Sequence, residues 1–367
     1  MSFYKVLENL DYEEIKKRIY GKTQTDVLNA MNKRTMDQDD FAALVSPAAD
    51  AYLEAMASRA QEKSLKHFGK SIVLYTPMYL ANYCVNKCLY CGFNHANDIG
   101  RRKLSPDEIH KEAKAIADEG LRHVLILTGE CRKESSVEYI AEAANILKEY
   151  FDSISIEIYP LEEEEYGQVI KAGVDGLTLY QEVYHKHTYE HVHVAGPKSN
   201  YKNRIEAVEK ACIAGMRNVN IGALLGLEDW RVETYLTGLH LNYLMTHYPD
   251  VELGVSIPRI RPHAGDFTDI KDVTDRDLVH SILGYRNFLP FAGINLSTRE
   301  EQHLRDHLIP LGITRMSAGV STSVGGHSAD DKSENQFEIS DSRTVKEIKE
   351  AILDKGYQPI FKDWVRF

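Results

Sequence analysis

The stretch SPDEIHKEAKAIADEGLRHVLILTGE, residues 105–130, holds one complete helix signal and one complete strand signal. Ser105 and Glu108 stand at capping-box spacing, with Pro106 at the first helical position, where its missing N–H costs nothing. Ile109, Ala113, Ile116 and Ala117 follow at i, i+4, i+7 and i+8, on one helix face, and Gly120 ends the helix. The pattern then switches to an apolar run over 122–128, closed by Thr128, Gly129 and Glu130. A helix feeding into a buried strand is the repeating unit of a parallel sheet.

The unit recurs on both sides. Strand signals lie at 71–80, 122–128, 153–159, 175–181, 218–225, 251–257, 292–298 and 313–318. Between them Ile140, Ala143, Ala144 and Leu147 form another helical stripe, and Ile205, Val208 and Cys212 a weaker one. Eight strands joined by right-handed crossovers predict an α/β fold, a closed (β/α)8 barrel over 71–320; an open doubly wound sheet is the competing architecture. Residues 1–70 read as an N-terminal helical extension and 321–367 as a C-terminal extension packing on the barrel.

Several strands alternate. Ile154, Ile156 and Ile158 oppose Ser155, Glu157 and Tyr159; Leu177 and Leu179 oppose Thr178, Tyr180 and Glu182; Ile294 and Leu296 oppose Asn295, Ser297 and Arg299. With the apolar faces against the helices, the polar faces line the lumen. Enclosing Glu157, Glu182 and Arg299 there is costly unless a polar ligand binds among them.

Composition narrows the function. The 367 residues carry 44 basic and 55 acidic side chains, a net charge of −11. Such a surface repels phosphate backbones, which excludes a general nucleic-acid or anionic-membrane binder. There is no run of about 18 apolar residues to span a membrane. The opening MSFYKVLENL lacks the basic, apolar and small-residue order of a secretory leader. Five cysteines, three of them within eight residues, make no disulfide framework and point to a cytoplasmic protein with clustered, metal-binding thiols. The acidic run 162–165 suits the start of a helix. The histidine-rich stretch 185–193 has no ligand partner at standard spacing.

Cys84, Cys88 and Cys91 are spaced C-x3-C-x2-C in the loop after the first strand. Structural zinc takes four protein ligands, and a [4Fe–4S] cluster is normally held by four cysteines. Three leave one iron open to a substrate or cofactor, in the loops that carry barrel active sites. A non-catalytic zinc or cluster scaffold is the alternative. Cys131 and Cys212 read as small apolar residues.

This triad, with Tyr90 before its last cysteine, resembles the radical S-adenosylmethionine (SAM) superfamily, and Thr128-Gly129-Glu130 resembles its Gly-Gly-Glu motif with Thr at the first position. The segments TPMYLANYCVNKCLYCGF (76–93), LTLYQEVYH (177–185), VSIPRIRP (255–262), INLSTRE (294–300), SAG…GG (317–326) and KDW (362–364), in order, are similar to the tyrosine lyases of thiamine biosynthesis, in the biotin- and thiamine-synthase-like branch. The resemblance implies Cα–Cβ cleavage of L-tyrosine to 2-iminoacetate and p-cresol, with a [4Fe–4S] cluster on the three cysteines and SAM as cofactors. Thr128, Gly129 and Glu130 are then expected to receive SAM, with Tyr90, Glu157 and Arg259 as further contacts. Ser297 and Arg299 are expected to take the substrate carboxylate, a planar guanidinium matching it bidentately. Thiazole synthase (ThiG) and an external electron donor are the implied partners. A tryptophan lyase or deazaflavin-forming enzyme stays open as a reading. The hydrogenase-maturation tyrosine lyase differs by a C-terminal extension with further cysteines, whereas here none follows Cys212.

Overall fold

The computed structural model describes residues 2–328 and 334–363; Trp364, in the last of the segments compared above, lies outside them. Five helices come first: α1 (Phe3–Leu7), α2 (Tyr12–Tyr20), α3 (Gln24–Asn32), α4 (Gln38–Leu44) and α5 (Leu53–Phe68). The alternating part runs β1 (Ser71–Ala81), α6 (Pro106–Asp118), β2 (His123–Thr128), α7 (Val137–Leu147), β3 (Ser153–Glu157), α8 (Glu163–Ala172) and β4 (Gly176–Thr178). It continues through α9 (Lys186–Val192), α10 (Tyr201–Ile213), β5 (Asn218–Gly222), α11 (Trp230–His247), β6 (Glu252–Ser256), α12 (Asp275–Phe288) and β7 (Gly293–Leu296). The chain then forms α13 (Gln302–Leu308), β8 (Arg315–Ser317), α14 (Val345–Asp354) and β9 (Gln358–Ile360).

Strands β1 to β8 pair in sequence order, all in parallel, and β1 pairs with both β2 and β8, so the barrel closes. The expected (β/α)8 fold is therefore present. Its periodicity has the expected physical cause. Ile154 and Ile156 are fully buried, and Ile109, Ala113 and Ile116 lie inward on α6 behind the Ser105–Glu108 capping box. The acidic run is a helix start: Glu162 and Glu165 cap α8, and Glu165 pairs with Arg132.

Strand β9 has no counterpart in the sequence reading. Val73 pairs with Arg315 of β8 on one side and with Ile360 of β9 on the other, and from Thr76 onward β2 takes over that second side. A segment near the C-terminus thus covers the start of β1 at the barrel floor, where the β2 pairing has not begun. On the outside, the first five helices cover the later barrel helices. Phe41 stacks on Phe288 at 4.4 Å between ring centres. Gly238 in α11 makes this approach possible, since a Cβ there would lie 2.3 Å from the Phe41 ring.

Candidate functional site

The loops after the strands converge on one cavity, in the position where barrel enzymes hold their active sites. An upper chamber, open at the mouth, is lined by Cys84, Cys88, Cys91, Tyr90, Thr128, Gly129, Glu130 and Glu157. A lower, narrower chamber is lined by Ser297, Arg299, Tyr75, Tyr180 and Ser317. Tyr79, Glu157, Tyr180, Arg299 and Phe337 border both, so the two chambers share walls.

The cysteine loop is held to the β2 end by paired contacts. Val85 N–H donates to the Glu130 carbonyl at 2.9 Å, Gly129 N–H to the Ala81 carbonyl at 3.0 Å, and Asn86 Nδ2 to the Glu130 carboxylate at 2.5 Å. Gly129 has no room for a side chain: a Cβ would sit 2.3 Å from the Tyr83 carbonyl oxygen and 3.1 Å from Cys84 Cβ. Gly129→Ala is accordingly expected to push the cysteine loop away. A displacement near 1 Å can cost ~10²-fold in rate, so a loss of that order is expected, with reduced iron content after reconstitution. Full iron content and normal turnover would count against this packing.

All three thiols are free. Burial pushes Cys88 up to about 12 and raises Cys91, so these two thiols are held in the form that must lose a proton to bind metal. Among the described residues no three metal-ligating side chains are grouped as a single-ion site. Three thiols on one cavity wall suit a cluster, in which each cysteine binds a different iron. Two further features fit a bound polar cofactor: Thr128 Oγ1 and Arg261 Nε are buried without a hydrogen-bond partner beside the same chamber.

Tyr90 is fixed from behind. Its hydroxyl donates to His193 Nε2 at 2.7 Å, while His193 Nδ1–H donates to the Tyr189 carbonyl at 2.8 Å. Burial depresses His193 to about 2, so the ring is neutral and its Nε2 is an acceptor. This histidine of the 185–193 stretch thus orients a tyrosine between two candidate ligands.

Glu182 has φ +74°, the one described non-glycine residue in the left-handed region. Strain of this kind persists where neighbours over-determine it. Here Lys198 Nζ donates to its carboxylate at 2.7 Å and Arg204 at 3.4 Å. Glu157 faces the cavity while enclosed by protein. Burial and the nearby Glu182 charge push its carboxyl up to about 7, against the opposing pull of Arg299 and Arg204. The folded state therefore holds this proton more tightly than the unfolded chain, whose carboxyl titrates near 4.5. The stability it contributes is complete below pH 4.5 and is lost as pH rises through about 7. Glu157→Gln is expected to flatten that decline, as read by urea midpoints from pH 5 to 8.

Ser297 and Arg299 follow β7 and meet in the lower chamber, with Arg299 N–H 3.4 Å from Ser297 Oγ. The Arg299 guanidinium lies on the Phe337 ring, 3.5 Å from its centre. Arg259 does not join the group. It is engaged by Glu300, by Asp275 at 2.7 Å and by the Val273 carbonyl at 2.9 Å, and the cavity wall is formed by Arg261 instead. β6 ends at Ser256, and strand alternation does not dictate side-chain direction beyond it. Lys198, Arg204, Gln336 and Phe337 also line the cavity and were missed by the sequence reading. Only Arg204 left a signal, a charge beside the Ile205–Val208–Cys212 stripe.

A parallel barrel with three free thiols after β1 and a Gly-Glu turn after β2 defines the radical SAM class. Residues 78–237 match the Radical SAM superfamily and residues 256–358 the Biotin and Thiamin Synthesis associated domain. The 2-iminoacetate synthase of Escherichia coli K12 is 39% identical over 97% of this chain and 94% of its own. That of Salmonella typhimurium is 37% identical over the same shares. Among solved structures, the [FeFe]-hydrogenase maturase HydG of Carboxydothermus hydrogenoformans superposes with a TM-score of 0.84 at 31% identity, over 98% of this chain and 83% of that one. The chain belongs to the 2-iminoacetate synthase family of radical SAM enzymes.

Proposed function

We propose that the protein cleaves the Cα–Cβ bond of L-tyrosine, giving 2-iminoacetate and p-cresol. The observation that carries this reading is the stacking of two chambers with shared walls: thiols above, and below them an aromatic-lined space that holds Arg299 beside Ser297. Cys84, Cys88 and Cys91 would hold a [4Fe–4S] cluster, whose chemistry with SAM would be one-electron cleavage to methionine and a 5′-deoxyadenosyl radical.

The chain's residues do the rest. Cys84, Cys88 and Cys91 anchor the cluster, and Thr128, Gly129 and Glu130 present a turn to the SAM amino group. Tyr90 and Glu157 border the space beside it. Arg299 and Ser297 take the substrate carboxylate, which aims the amino-acid end at the upper chamber. The ring lies among Tyr75, Tyr180 and Phe337. Enclosure keeps water from the reactive imine and from the radical.

A product that hydrolyses in water favours direct transfer to its consumer. The family resemblance supplies thiazole synthase (ThiG) as that partner and an external donor for the electrons. No described helix is long and apolar enough to cross a membrane, and the clustered thiols suit a reducing cytoplasm.

The test is anaerobic reconstitution with iron and sulfide, then addition of reductant, SAM and tyrosine. 5′-Deoxyadenosine and p-cresol together are expected. Deoxyadenosine with cleavage of another aromatic amino acid would replace the substrate. Neither product, from protein with a full cluster, would overturn the enzyme reading.

A further inference from the structure

The segment from Glu334 to Asp341 crosses the mouth of the barrel and brings a carboxamide to one of the three thiols. Gln336 Nε2 lies 3.8 Å from Cys91 Sγ, within N–H···S hydrogen-bond distance. Its other end is fixed: the buried Tyr79 hydroxyl donates to Gln336 Oε1 at 2.7 Å. A carboxamide has one accepting and one donating end, so with Oε1 on the phenol the N–H group faces sulfur. The reverse orientation would set oxygen lone pairs against those of a thiolate.

The backbone holds this side chain in place. Gln336 N–H donates to the Thr322 carbonyl at 3.2 Å. Gly92, next to Cys91, lies so close that a Cβ there would be 2.4 Å from the Gln336 carbonyl oxygen. The following residue, Phe337, packs on Arg299. Consecutive side chains of one segment therefore touch a cluster ligand and the candidate substrate arginine.

We infer that Gln336 sets the reduction potential of the cluster by hydrogen-bonding the Cys91 sulfur; this rests on the reading that Cys91 is a cluster ligand. Reduction adds one negative charge to the cluster, and a donor aimed at a ligand sulfur stabilises the more negative state. Hydrogen bonds to sulfur are among the levers by which proteins tune such potentials. Gln336 makes the cluster easier to reduce, which favours entry of the electron that starts the reaction. Tyr79 acts through it, as a positioning residue.

The experiment is an EPR-monitored redox titration of the anaerobically reconstituted full chain, with iron and sulfide determined on each sample. Gln336→Leu is expected to shift the midpoint to more negative potential at unchanged cluster content. Gln336→Glu, which replaces the donor with a charge, is expected to shift it further. Tyr79→Phe should move it in the same direction by less. A Gln336→Leu midpoint equal to that of the parent, at equal iron content, overturns the inference and leaves the cysteine assignment intact. If Gln336→Leu does not take up a cluster, the absence of a shift in both Gln336→Glu and Tyr79→Phe overturns it. A parent protein without a [4Fe–4S] signal removes both the cysteine reading and this one.

Discussion

Arg299→Lys is expected to lower p-cresol formation by roughly 10²-fold or more while iron and sulfide content stay at the parent level. Lysine keeps the charge but loses the planar fork that offers two parallel hydrogen bonds to a carboxylate. A charge-assisted hydrogen bond is worth about 1.5–3 kcal/mol, and each 1.4 kcal/mol is a factor of ten. Tilting the amino acid adds to the loss, because the abstracted hydrogen must stay within reach of the radical. The substitution lies after β7, outside the cysteine loop, so cluster assembly is expected to continue. Deoxyadenosine formed without p-cresol would show SAM cleavage uncoupled from tyrosine. Near-parent p-cresol production would remove Arg299 from the carboxylate role.

The second large effect concerns the anchor of the segment that carries Gln336. Arg305 is completely buried, and its guanidinium bonds the Asp341 carboxylate and the Ser317 carbonyl. Burial alone would raise Asp341, but hydrogen bonds from Arg343, at 2.7 and 2.9 Å, and the Arg305 charge hold it below the usual carboxylate value. Removing one member of such a pair leaves a buried charge uncompensated, at a cost of about 3–5 kcal/mol. Asp341→Ala is therefore expected to lower unfolding free energy by that amount in urea. The double variant Asp341→Ala with Arg305→Met is expected to recover part of it, because the stranded guanidinium is gone. A double variant less stable than the single would show that Arg305 stabilises the fold through its packing and its bond to Ser317.

The barrel was legible because its signals are local. Residues 105–130 carry a cap, a helical stripe and a strand within one window, and the same physics repeats along the chain. The cysteine triad was legible for a similar reason, since its spacing lies within one loop. Glu157 followed from alternation within β3, whereas Ser297 and Arg299 lie just past the end of β7, where the same parity happened to carry on to the cavity. What stayed hidden depends on closure. Lys198 and Arg204 meet Glu182 only after the chain has passed beyond β4, and Gln336 reaches Cys91 across 245 positions. Arg259 and Arg261 illustrate the limit of pattern reading. They share a parity, yet one is held by Glu300 and Asp275 and the other borders the cavity. β9 is three residues long with a proline in its middle, which gives no periodicity to detect.

The strand at the barrel floor has a consequence for synthesis. Ser71 of β1 pairs with Gln358 of β9, so the first strand of the sheet waits for roughly 290 further residues before its edge is covered. At ~5–20 residues per second on the ribosome, that interval is about 15–60 s. During it an unpaired strand edge beside apolar Ile72 and Val73 is available to other chains. The nascent chain thus carries this open edge from the synthesis of β1 until β9 emerges, and holdase chaperones that bind near β1 would act in that window.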